Sequence, residues 1–442
     1  MDFLTGGILC IGLLLILMAI GVQIGLTFLL GGFIVSVILL GFDSSMTLLG
    51  QASYHSIASP TWASIPLFIL MGAFASNGGL ARCAYDGVYA LSRRLPGSLL
   101  IATSLSCGVF GAVSGSSIAT TAIFGKMALP EMNRLGYDKR LSSGCIASAG
   151  TFASMIPPSM MMIIYALFTQ QSIGKLFAAG VVPGIITAGA YAILIVVMVK
   201  RKPHLAPNRK VEDEGAIPIS RTREALRLWP VLVIATLVLG GMYSGWFTPT
   251  EAAAVGAVCT LGYGWLSRNF TNLGQVTGSM RESASVTAML FLINIGALFY
   301  SRVLAVTRLP TELTMMLQTL DVPPLVILLG VLAIMFFLGM IMVPVGIYAL
   351  TLPIVFPLLV SLGYDPIWFG VLALKMTEIG SITPPVGLNV FAMKGVIPPE
   401  MKISVEDIYR GCMPFILVEV CVLVILIAFP QISLWLPNLL LG

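Results

Sequence analysis

The sequence predicts an all-α integral membrane protein built from two inverted copies of one unit of interrupted helices. Three observations predict this fold: an apolar composition, landmark residues repeated at a constant spacing, and prolines inside apolar stretches. Of the 442 residues, 57% are hydrophobic and 10% are charged, whereas soluble domains carry about 25% charged residues. The composition excludes an ordinary soluble domain, so we expect a lipid bilayer around the chain and no nucleic-acid partner.

About ten apolar stretches approach the roughly 20 residues that a spanning helix needs. The first stretch lacks a basic region before it and an obvious cleavage site, so we interpret it as a span and not as a signal peptide. The predicted spans are residues 3–21, 24–42, 62–78, 140–168, 178–199, 228–247, 249–266, 284–304, 366–395 and 411–429.

Loop charges predict the orientation of these spans. The 200–227 loop carries eight basic and four acidic residues, and basic loops stay in the cytoplasm. Counting spans outward from it, the basic stretches 79–96 and 267–283 also fall inside, and 43–61, which has no Lys or Arg, falls outside. Both termini are then periplasmic. The 305–322 stretch also falls outside in this scheme, although it contains Arg308.

Landmark residues recur after 227 positions, which indicates a duplicated unit. An odd number of predicted spans separates the copies, so the second copy is inverted in the membrane, as in many secondary transporters. The corresponding landmarks are Pro96 and Pro323, Pro130 and Pro357, the Leu-Gly-Tyr-Asp sequences at 135–138 and 362–365, and the double prolines Pro157-Pro158 and Pro384-Pro385.

Each copy contains a proline-bracketed stretch that is too short to cross a bilayer twice. Residues 97–129 and 325–356 number 33 and 32, against about 40 for two crossings, so each predicts a re-entrant hairpin. The expected tips are 114–117, with small polar residues, and 341–344, with a proline. The resulting division is N-terminal scaffold spans (1–61), repeat 1 (62–199), a cytoplasmic linker (200–227), further scaffold spans (228–283), repeat 2 (284–429) and a C-terminal tail (430–442).

The double prolines interrupt predicted spans. Proline lacks an N–H and crowds the carbonyl four residues earlier, so we expect unpaired carbonyls at Ala153 and Ser154, and at Gly380 and Ser381. Each unpaired group costs several kcal/mol in lipid. A dehydrated sodium ion would satisfy these oxygens, and the alternative is a kink satisfied by hydroxyl groups or water.

Two ionisable residues lie inside the span before the second double proline. Lys375 and Glu378 are three residues apart and can face each other on one helix side. Charged groups in a membrane are functional candidates, so Lys375 could balance a substrate carboxylate and Glu378 could assist a cation. The alternative is a structural pair. The seven cysteines and two histidines form no metal-ligand cluster in the sequence, and we expect no organic cofactor.

Several sequence strings resemble one known family. They are GAVSGSSIATT (111–121), PEMNRLGYDKRL (130–141), MIPPSMMMIIYALFTQQSIGKLFAAGVVPG (155–184) and GSITPPVGLNVF (380–391). Together they resemble the large membrane subunit of TRAP transporters, the tripartite ATP-independent periplasmic systems, over nearly the whole chain.

The resemblance implies an elevator-type transporter in a bacterial inner membrane. A mobile domain with both hairpins would carry a small organic anion inward, coupled to sodium; carboxylates such as C4-dicarboxylates, sialic acids and sugar acids are expected. It also implies two partners: a periplasmic substrate-binding protein and a separate small membrane subunit of four helices.

By motif, the resemblance assigns 114–117 to the cytoplasmic tip and 150–159 to the unwound helix facing it. It assigns 339–344 to the outer tip and 380–389 to the facing break. Val343 departs from the family pattern, which commonly has Asp at this position in a GMFLD-like string. The missing carboxylate predicts that the second sodium ion binds more weakly or to backbone oxygens.

These arguments give two sets of candidate site residues. The substrate candidates are Thr151, Ser159, Lys375, Glu378 and Asn389. The sodium candidates are Ser114, Gly115, Ser116, Ser117, Ala153, Ser154, Pro157, Pro158, Gly339, Met342, Val343, Gly380, Ser381, Thr383, Pro384 and Pro385.

Other functions compete with this interpretation. A stand-alone divalent-anion/sodium symporter would have a similar architecture without a binding protein. A membrane enzyme needs a catalytic cluster near one interface, and His55 and His204 lie in separate polar stretches without such partners. A purely structural role is disfavoured by the paired proline breaks.

Overall fold

The computed structural model describes residues 3–207, 226–319 and 322–441, and within these ranges the chain forms helices and turns without strands. The all-α prediction is confirmed. Most of the predicted cytoplasmic linker, residues 208–225, lies outside the described residues. The helices before it are α1 (Phe3–Ala19), α2 (Ile24–Leu40), α3 (Phe42–Ala58), α4 (Ser64–Asn77), α5 (Leu80–Ser92), α6 (Ser98–Ser114), α7 (Ser117–Arg134), α8 (Lys139–Ala153), α9 (Met160–Thr169) and α10 (Ile173–Arg201).

The helices after the linker complete the fold. They are α11 (Trp229–Tyr243), α12 (Pro249–Leu266), α13 (Leu273–Val306), α14 (Leu309–Thr319), α15 (Pro324–Gly339), α16 (Pro344–Ser361), α17 (Pro366–Gly380), α18 (Leu388–Val396), α19 (Val405–Ala428) and α20 (Gln431–Leu441).

The helices form two packing groups. In the first group, α13 packs along α2, α3 and α4, and α4 packs along α12. In the second group, α8 packs against α6, α7 and α19, while α17 packs against α15, α10 and α19. The groups meet where α13 contacts α16 and where α4 contacts α6 and α9. All predicted site residues lie in or beside the second group.

Two hairpins and two broken helices lie in the second group. The first tip, residues 115–116, joins α6 to α7, and the second tip, residues 340–343, joins α15 to α16. The first break, residues 154–159, separates α8 from α9, and the second break, residues 381–387, separates α17 from α18.

The repeated Leu-Gly-Tyr-Asp sequence ends the preceding helix in the same way in both copies. Gly136 and Gly363 have φ values of 80° and 84°, a left-handed conformation that glycine adopts without steric cost. The amides of Tyr137 and Tyr364 each bond to the carbonyl five residues earlier, over 3.0 and 3.1 Å. This is the Schellman arrangement that satisfies the last carbonyls of a helix.

The aspartate of the same sequence starts the next helix. Asp138 accepts a hydrogen bond from the amide of Leu141 over 2.8 Å. Asp365 accepts from the amides of Ile367 and Trp368 over 2.8 and 2.9 Å. Side-chain caps of this kind contribute about 1 kcal/mol each. The repeated sequence therefore specifies a repeated turn, with α8 and α17 starting at equivalent places.

Fewer long, uniformly apolar helices occur among the described residues than the ten predicted spans. Among the described helices, five are long and apolar enough to cross a bilayer unaided: the 226–243 segment that contains α11, and α10, α13, α16 and α19. The other predicted spans correspond to shorter, less apolar or broken helices, because the chain interrupts its apolar stretches at the prolines and turns.

Several segments predicted as loops are helical. The span prediction looked for uniformly apolar stretches. It therefore missed amphipathic helices, which bury one apolar face and expose a polar one. In α5, for example, Leu80, Ala84 and Val88 are buried while Arg82 is exposed. The corrected segments are 43–61 (mostly α3), 79–96 (mostly α5), 267–283 (with the start of α13), 305–322 (with α14) and the tail at 430–442 (mostly α20).

Candidate functional site

The first tip is attached to the first break through the main chain. The amide of Met160 donates a hydrogen bond to the carbonyl of Gly115 over 3.2 Å. Gly115 has a φ of 62°, and a methyl group on it would lie 2.8 Å from the carbonyl oxygen of Pro158. Only glycine combines this conformation with so close an approach.

The second tip is attached to the second break in the same way. The amide of Gly387 donates to the carbonyl of Met340 over 3.0 Å. Gly387 lies 227 positions after Met160, so equivalent residues donate in the two copies. At the base of the second tip, a methyl group on Gly380 would lie 2.7 Å from the Cα atom of Gly339. Each tip therefore contacts its break through main-chain atoms.

The first break retains one of the two unpaired carbonyls that were expected. The carbonyl of Ala153 accepts from the amide of Ile156 over 3.3 Å, so the prediction for Ala153 is wrong. The end of α8 tightens so that the hydrogen bond joins residues three apart. The amide of Ile156, which precedes the prolines, replaces the N–H that Pro157 lacks. The carbonyl of Ser154 has no main-chain donor among the described residues.

The second break satisfies both of its carbonyls. Gly380 accepts from the amide of Thr383 over 3.0 Å, and Ser381 accepts from the amide of Asn389 over 3.0 Å. The prediction of unpaired oxygens is therefore wrong here too. Thr383 precedes the prolines and donates within a tightened turn, whereas Asn389 follows them and donates where the chain folds back. The proline–proline bond is cis in both breaks. A carbonyl oxygen has a second lone pair, so these oxygens can still face a cation.

Glu378 lies at the junction of the two copies. Its side chain is buried and faces the hydroxyl groups of Ser117 and Ser154 from the first copy. The hydroxyl of Ser381 donates to its Oε2 atom over 3.5 Å, and its Oε1 atom has no hydrogen-bond partner within the described ranges. A buried carboxylate without a positive partner is strongly disfavoured, so this position suits a cation.

Two more buried polar side chains near the breaks lack partners in the part of the chain that the structure describes. They are the hydroxyl of Thr121 and both side-chain polar atoms of Asn389. The Thr121 hydroxyl lies directly over Gly150, where a methyl group would not fit. Buried polar groups without partners are uncommon. Thr121 lies beside the helix that leads into the first break and Asn389 lies just after the second break, so both could contact a polar ligand held at the breaks.

Lys375 is paired with Glu419 of α19 and not with Glu378, so the structural pair weighed in the sequence has the wrong partner. The Lys375 ammonium also donates to Thr187 Oγ1 over 2.9 Å, and Tyr191 donates to Glu419 Oε1 over 2.6 Å. Lys375 reaches past its own helix because its long side chain points toward α10 and α19. This pairing leaves Glu378 without an ion-pair partner among the residues that the structure describes.

Glu419 is the functional candidate that the sequence argument missed. It also accepts from Thr151 over 3.4 Å, which connects this ion pair to the first break. A carboxylate inside the apolar helix α19 was the available signal, by the same rule that selected Lys375. Tyr191 and Thr187 gave no such signal, because hydroxyl groups are common in apolar helices.

The remaining predicted site residues take up local structural positions. Ser114 pairs with Thr120 over 3.0 Å, Ser116 accepts from the amide of Ala119 over 3.4 Å, and Ser159 caps α9. Val343 stands at the start of α16 without a side-chain cap. No group of three or more His, Cys, Asp or Glu residues that could bind a metal occurs among the described residues, so the donors around the breaks are mainly hydroxyl and carbonyl oxygens.

A polar cavity of about 580 Å³ lies between the two packing groups. Arg302 near the end of α13 lines it together with His55, Gln170 and Gln171, and the buried ring of Trp62 forms part of the wall. Arg302 has no ion-pair partner among residues 3–207, 226–319 and 322–441. The volume is within the range of small-molecule pockets.

Comparison with known proteins agrees with this architecture. The family model described as "Tripartite ATP-independent periplasmic transporter, DctM component" matches residues 11–432. The crystal structure of the YdaH transporter of Alcanivorax borkumensis has a similar fold, with a TM-score of 0.62 and 15% sequence identity over 89% of this chain and 90% of that one.

Similar sequences are permease subunits. The C4-dicarboxylate TRAP transporter large permease proteins DctM of Pseudomonas aeruginosa and Vibrio cholerae are 36% and 33% identical; the alignments cover 91% and 98% of this chain and 92% and 97% of those proteins. The ectoine/5-hydroxyectoine large permease UehC of Ruegeria pomeroyi is 31% identical, over 96% of this chain and 97% of its own length.

These matches extend over the tips, the breaks and both packing groups, and the matched relatives are named as transporter permeases and not as enzymes. The family description places each member in a tripartite system. The chain therefore belongs to the DctM family of TRAP transporters, as a multi-pass large permease subunit that serves substrate uptake.

Proposed function

We propose that this permease imports a small organic carboxylate and couples that import to sodium. The observation that carries the proposal is Glu378, a buried carboxylate whose Oε1 atom has no hydrogen-bond partner among the described residues and whose carboxyl group neighbours the hydroxyls of Ser117 and Ser154. A dehydrated sodium ion would supply the missing positive charge. Hydroxyl oxygens and carbonyls of unwound backbone are the ligands that transporters use for such ions.

A second sodium ion would bind at the second break. Its ligands would be carbonyl oxygens of the break and the hydroxyl groups of Ser381 and Thr383, with no carboxylate from Val343. We expect this site to be weaker than the first, because neutral oxygens alone compensate less of the ion's lost hydration. Inward movement of each sodium ion releases about 2.3 kcal/mol per 100 mV of membrane potential, so two ions outweigh the unfavourable charge of one monoanion.

Arg302 is the better candidate to receive the carboxylate. Lys375 was the cation expected from the sequence, but Glu419 already neutralises it. Arg302 lines a cavity of suitable size and has no acidic partner in the described ranges. Guanidinium groups bind carboxylates in a two-pronged geometry. The C4-dicarboxylate permeases among the similar proteins support an anionic substrate.

We infer an elevator movement from the tip contacts. Each tip is bonded to its break through the main chain, so the tips, the breaks and any guest between them would travel together with the second packing group. The first group would remain in the inner membrane as the scaffold, with both termini periplasmic. A periplasmic binding protein and a small four-helix membrane subunit would complete the tripartite system.

Reconstitution tests the proposal. The permease, its small subunit and the binding protein encoded beside it are placed in proteoliposomes, and uptake of succinate, N-acetylneuraminate and gluconate is measured with and without an inward sodium gradient. We expect uptake of one of these that requires sodium. Equal uptake with and without the sodium gradient would rule out sodium coupling.

Arg302 is tested in the same assay. Arg302→Gln should raise the KM for the transported carboxylate about ten-fold, equivalent to about 1.4 kcal/mol. Arg308→Gln is the matched control, because Arg308 follows in the same region but does not line the cavity. Equal effects of both variants would contradict the role of Arg302.

The stand-alone symporter is distinguished by omitting the binding protein. We expect no uptake without it, because the family is tripartite. Full uptake by the permease alone would favour the symporter.

A further inference from the structure

A second cavity, of about 360 Å³, lies where the ends of three helices meet. The start of α8, the end of α10 and the first turns of α19 surround it. Its polar lining is mainly basic, formed by Arg140, Arg201, Lys202, His204 and Arg410. This cavity lies beside the predicted cytoplasmic linker and contains none of the predicted site residues.

The cationic groups of the cavity are not fully neutralised by the described residues. Arg140 is paired with Asp407 over 2.7 Å. The carboxylate of Asp138, the one acidic residue of the lining, is engaged in capping α8. Arg201 and Lys202 are exposed and have no ion pair within the described ranges.

Arg410, like Arg201 and Lys202, is exposed and forms no ion pair in the described part of the chain. Three cationic side chains therefore converge on one concavity with a single, already engaged carboxylate. Membrane orientation requires basic residues in cytoplasmic loops, but it does not require their side chains to line one cavity. The arrangement suits an anion that carries at least one full negative charge.

Apolar surface adjoins the basic lining. The cavity wall includes Leu141, Met198 and Pro414. Along the outer faces of the same helices, Val197 of α10 and Leu417 of α19 are exposed apolar residues within about two turns of the cations. A guest with a charged group and attached hydrocarbon chains would match both surfaces, whereas a free inorganic anion would use only the basic one.

We propose that this cavity binds the phosphodiester headgroup of an anionic phospholipid. Basic pockets between the cytoplasmic ends of membrane helices are favourable sites for such headgroups, and guanidinium groups bind phosphate oxygens in pairs. The bound lipid joins α8, α10 and α19, the three helices that also carry Thr151, Tyr191 and Glu419 of the buried network. Inorganic phosphate offers the same phosphate oxygens as the headgroup, and the test below distinguishes these two ligands.

The test measures lipid retention by the purified full-length permease. The protein is exchanged into detergent with cardiolipin, phosphatidylglycerol or phosphatidylethanolamine, and bound lipid is quantified by native mass spectrometry. We expect the two anionic lipids to be retained and phosphatidylethanolamine not to be. Inorganic phosphate at millimolar concentration should leave cardiolipin bound. Equal retention of phosphatidylethanolamine, or displacement by phosphate, would overturn the proposal.

A triple variant supplies the site-specific readout. Arg201→Gln with Lys202→Gln and Arg410→Gln should weaken cardiolipin binding on the order of 100-fold, at the contribution usual for basic residues near anionic lipid. The matched control changes three other basic residues, Arg82, Arg268 and Arg281, to Gln and should leave binding within two-fold. An equal loss in both triple variants would show general charge attraction and reject the cavity.

Single variants cover the case in which the triple variant does not fold. Lys202→Gln and Arg410→Gln, each checked for a monodisperse elution profile, should weaken cardiolipin binding about five-fold apiece. If both bind cardiolipin as well as the unaltered protein does, the proposal is wrong.

Discussion

The ammonium group of Lys375 on α17 is bonded to the carboxylate of Glu419 on α19, and the two side chains retain only 1% and 2% of their exposure. Thr187 and Tyr191 of α10 complete the hydrogen bonding of the pair. Three helices are thus joined by a charge pair whose polar atoms are engaged. Glu378, three residues from Lys375, has no ion-pair partner in the described part of the chain, which is why the proposed ion site centres on it.

Breaking this pair should destabilise the permease. Lys375→Met or Glu419→Gln leaves one buried charge uncompensated, which costs about 3–5 kcal/mol. The double variant Lys375→Met with Glu419→Met should recover most of that loss, since neither charge remains. Thermal unfolding in detergent measures all three variants. Single variants that unfold at the temperature of the unaltered protein would show that the pair contributes nothing to stability.

Removing the charge of Glu378 should weaken sodium binding. Glu378→Gln keeps the shape of the side chain, so the concentration of sodium giving half-maximal uptake should rise about ten-fold or more. Glu378→Asp should be intermediate. Glu400→Gln, an exposed carboxylate in a short turn, is the control. If sodium dependence is the same for Glu378→Gln and Glu400→Gln, the ion does not use this carboxylate.

Restoring a carboxylate at the second tip should strengthen sodium binding there. Val343→Asp places an anionic oxygen at the start of α16, and we expect the half-maximal sodium concentration to fall several-fold, by the usual strength of charge-assisted contacts. Val343→Asn separates charge from helix capping, because both side chains cap a helix equally well. An identical response to Asp and Asn would mean that capping, and not ion binding, is affected.

A methyl group between the second hairpin and its broken helix should strongly impair transport. Gly380→Ala would place a carbon 2.7 Å from Gly339, and backbone cannot move aside as a flexible side chain would. We expect at least a ten-fold loss of uptake, equivalent to about 1.4 kcal/mol or more. Gly330→Ala on α15 is the control, since open space surrounds that position. Normal uptake by Gly380→Ala would show that the contact is dispensable.

Replacing the first double proline should rejoin α8 and α9. Pro157→Ala with Pro158→Ala removes the residues that exclude a continuous helix at a cost of about 3 kcal/mol each. We expect uptake to fall about ten-fold or more while the protein remains folded. Pro130→Ala, inside α7, controls for loss of a helical proline. Unimpaired uptake by the double variant would count against an ion site at the break.

Local patterns with a direct steric cause were predictable from the sequence. The Leu-Gly-Tyr-Asp turns and the double prolines act through one or two residues, and the structure places turns and breaks at those positions. Composition was sufficient for the all-α class. These features do not depend on which helices become neighbours.

Features that depend on tertiary neighbours were not predictable. The partner of Lys375 is 44 positions away, on a helix whose rotation the sequence does not reveal, and Glu378 was the nearer choice. The carbonyl of Gly380 receives its donor from a tightened turn that precedes the prolines, and that of Ser381 from the amide of Asn389, where the chain folds back after them. Helices such as α3 and α5 were missed because their burial on one face depends on helices distant in sequence.

Both tip contacts use an amide of one main-chain segment and a carbonyl of another. Every residue except proline provides these atoms, so most substitutions at Met160 or Met340 leave the contact chemically intact. Related permeases can therefore change the side chains that select the substrate while the main-chain contacts between each tip and its break stay the same. Diversification of substrate across such a family would then begin at the cavity walls.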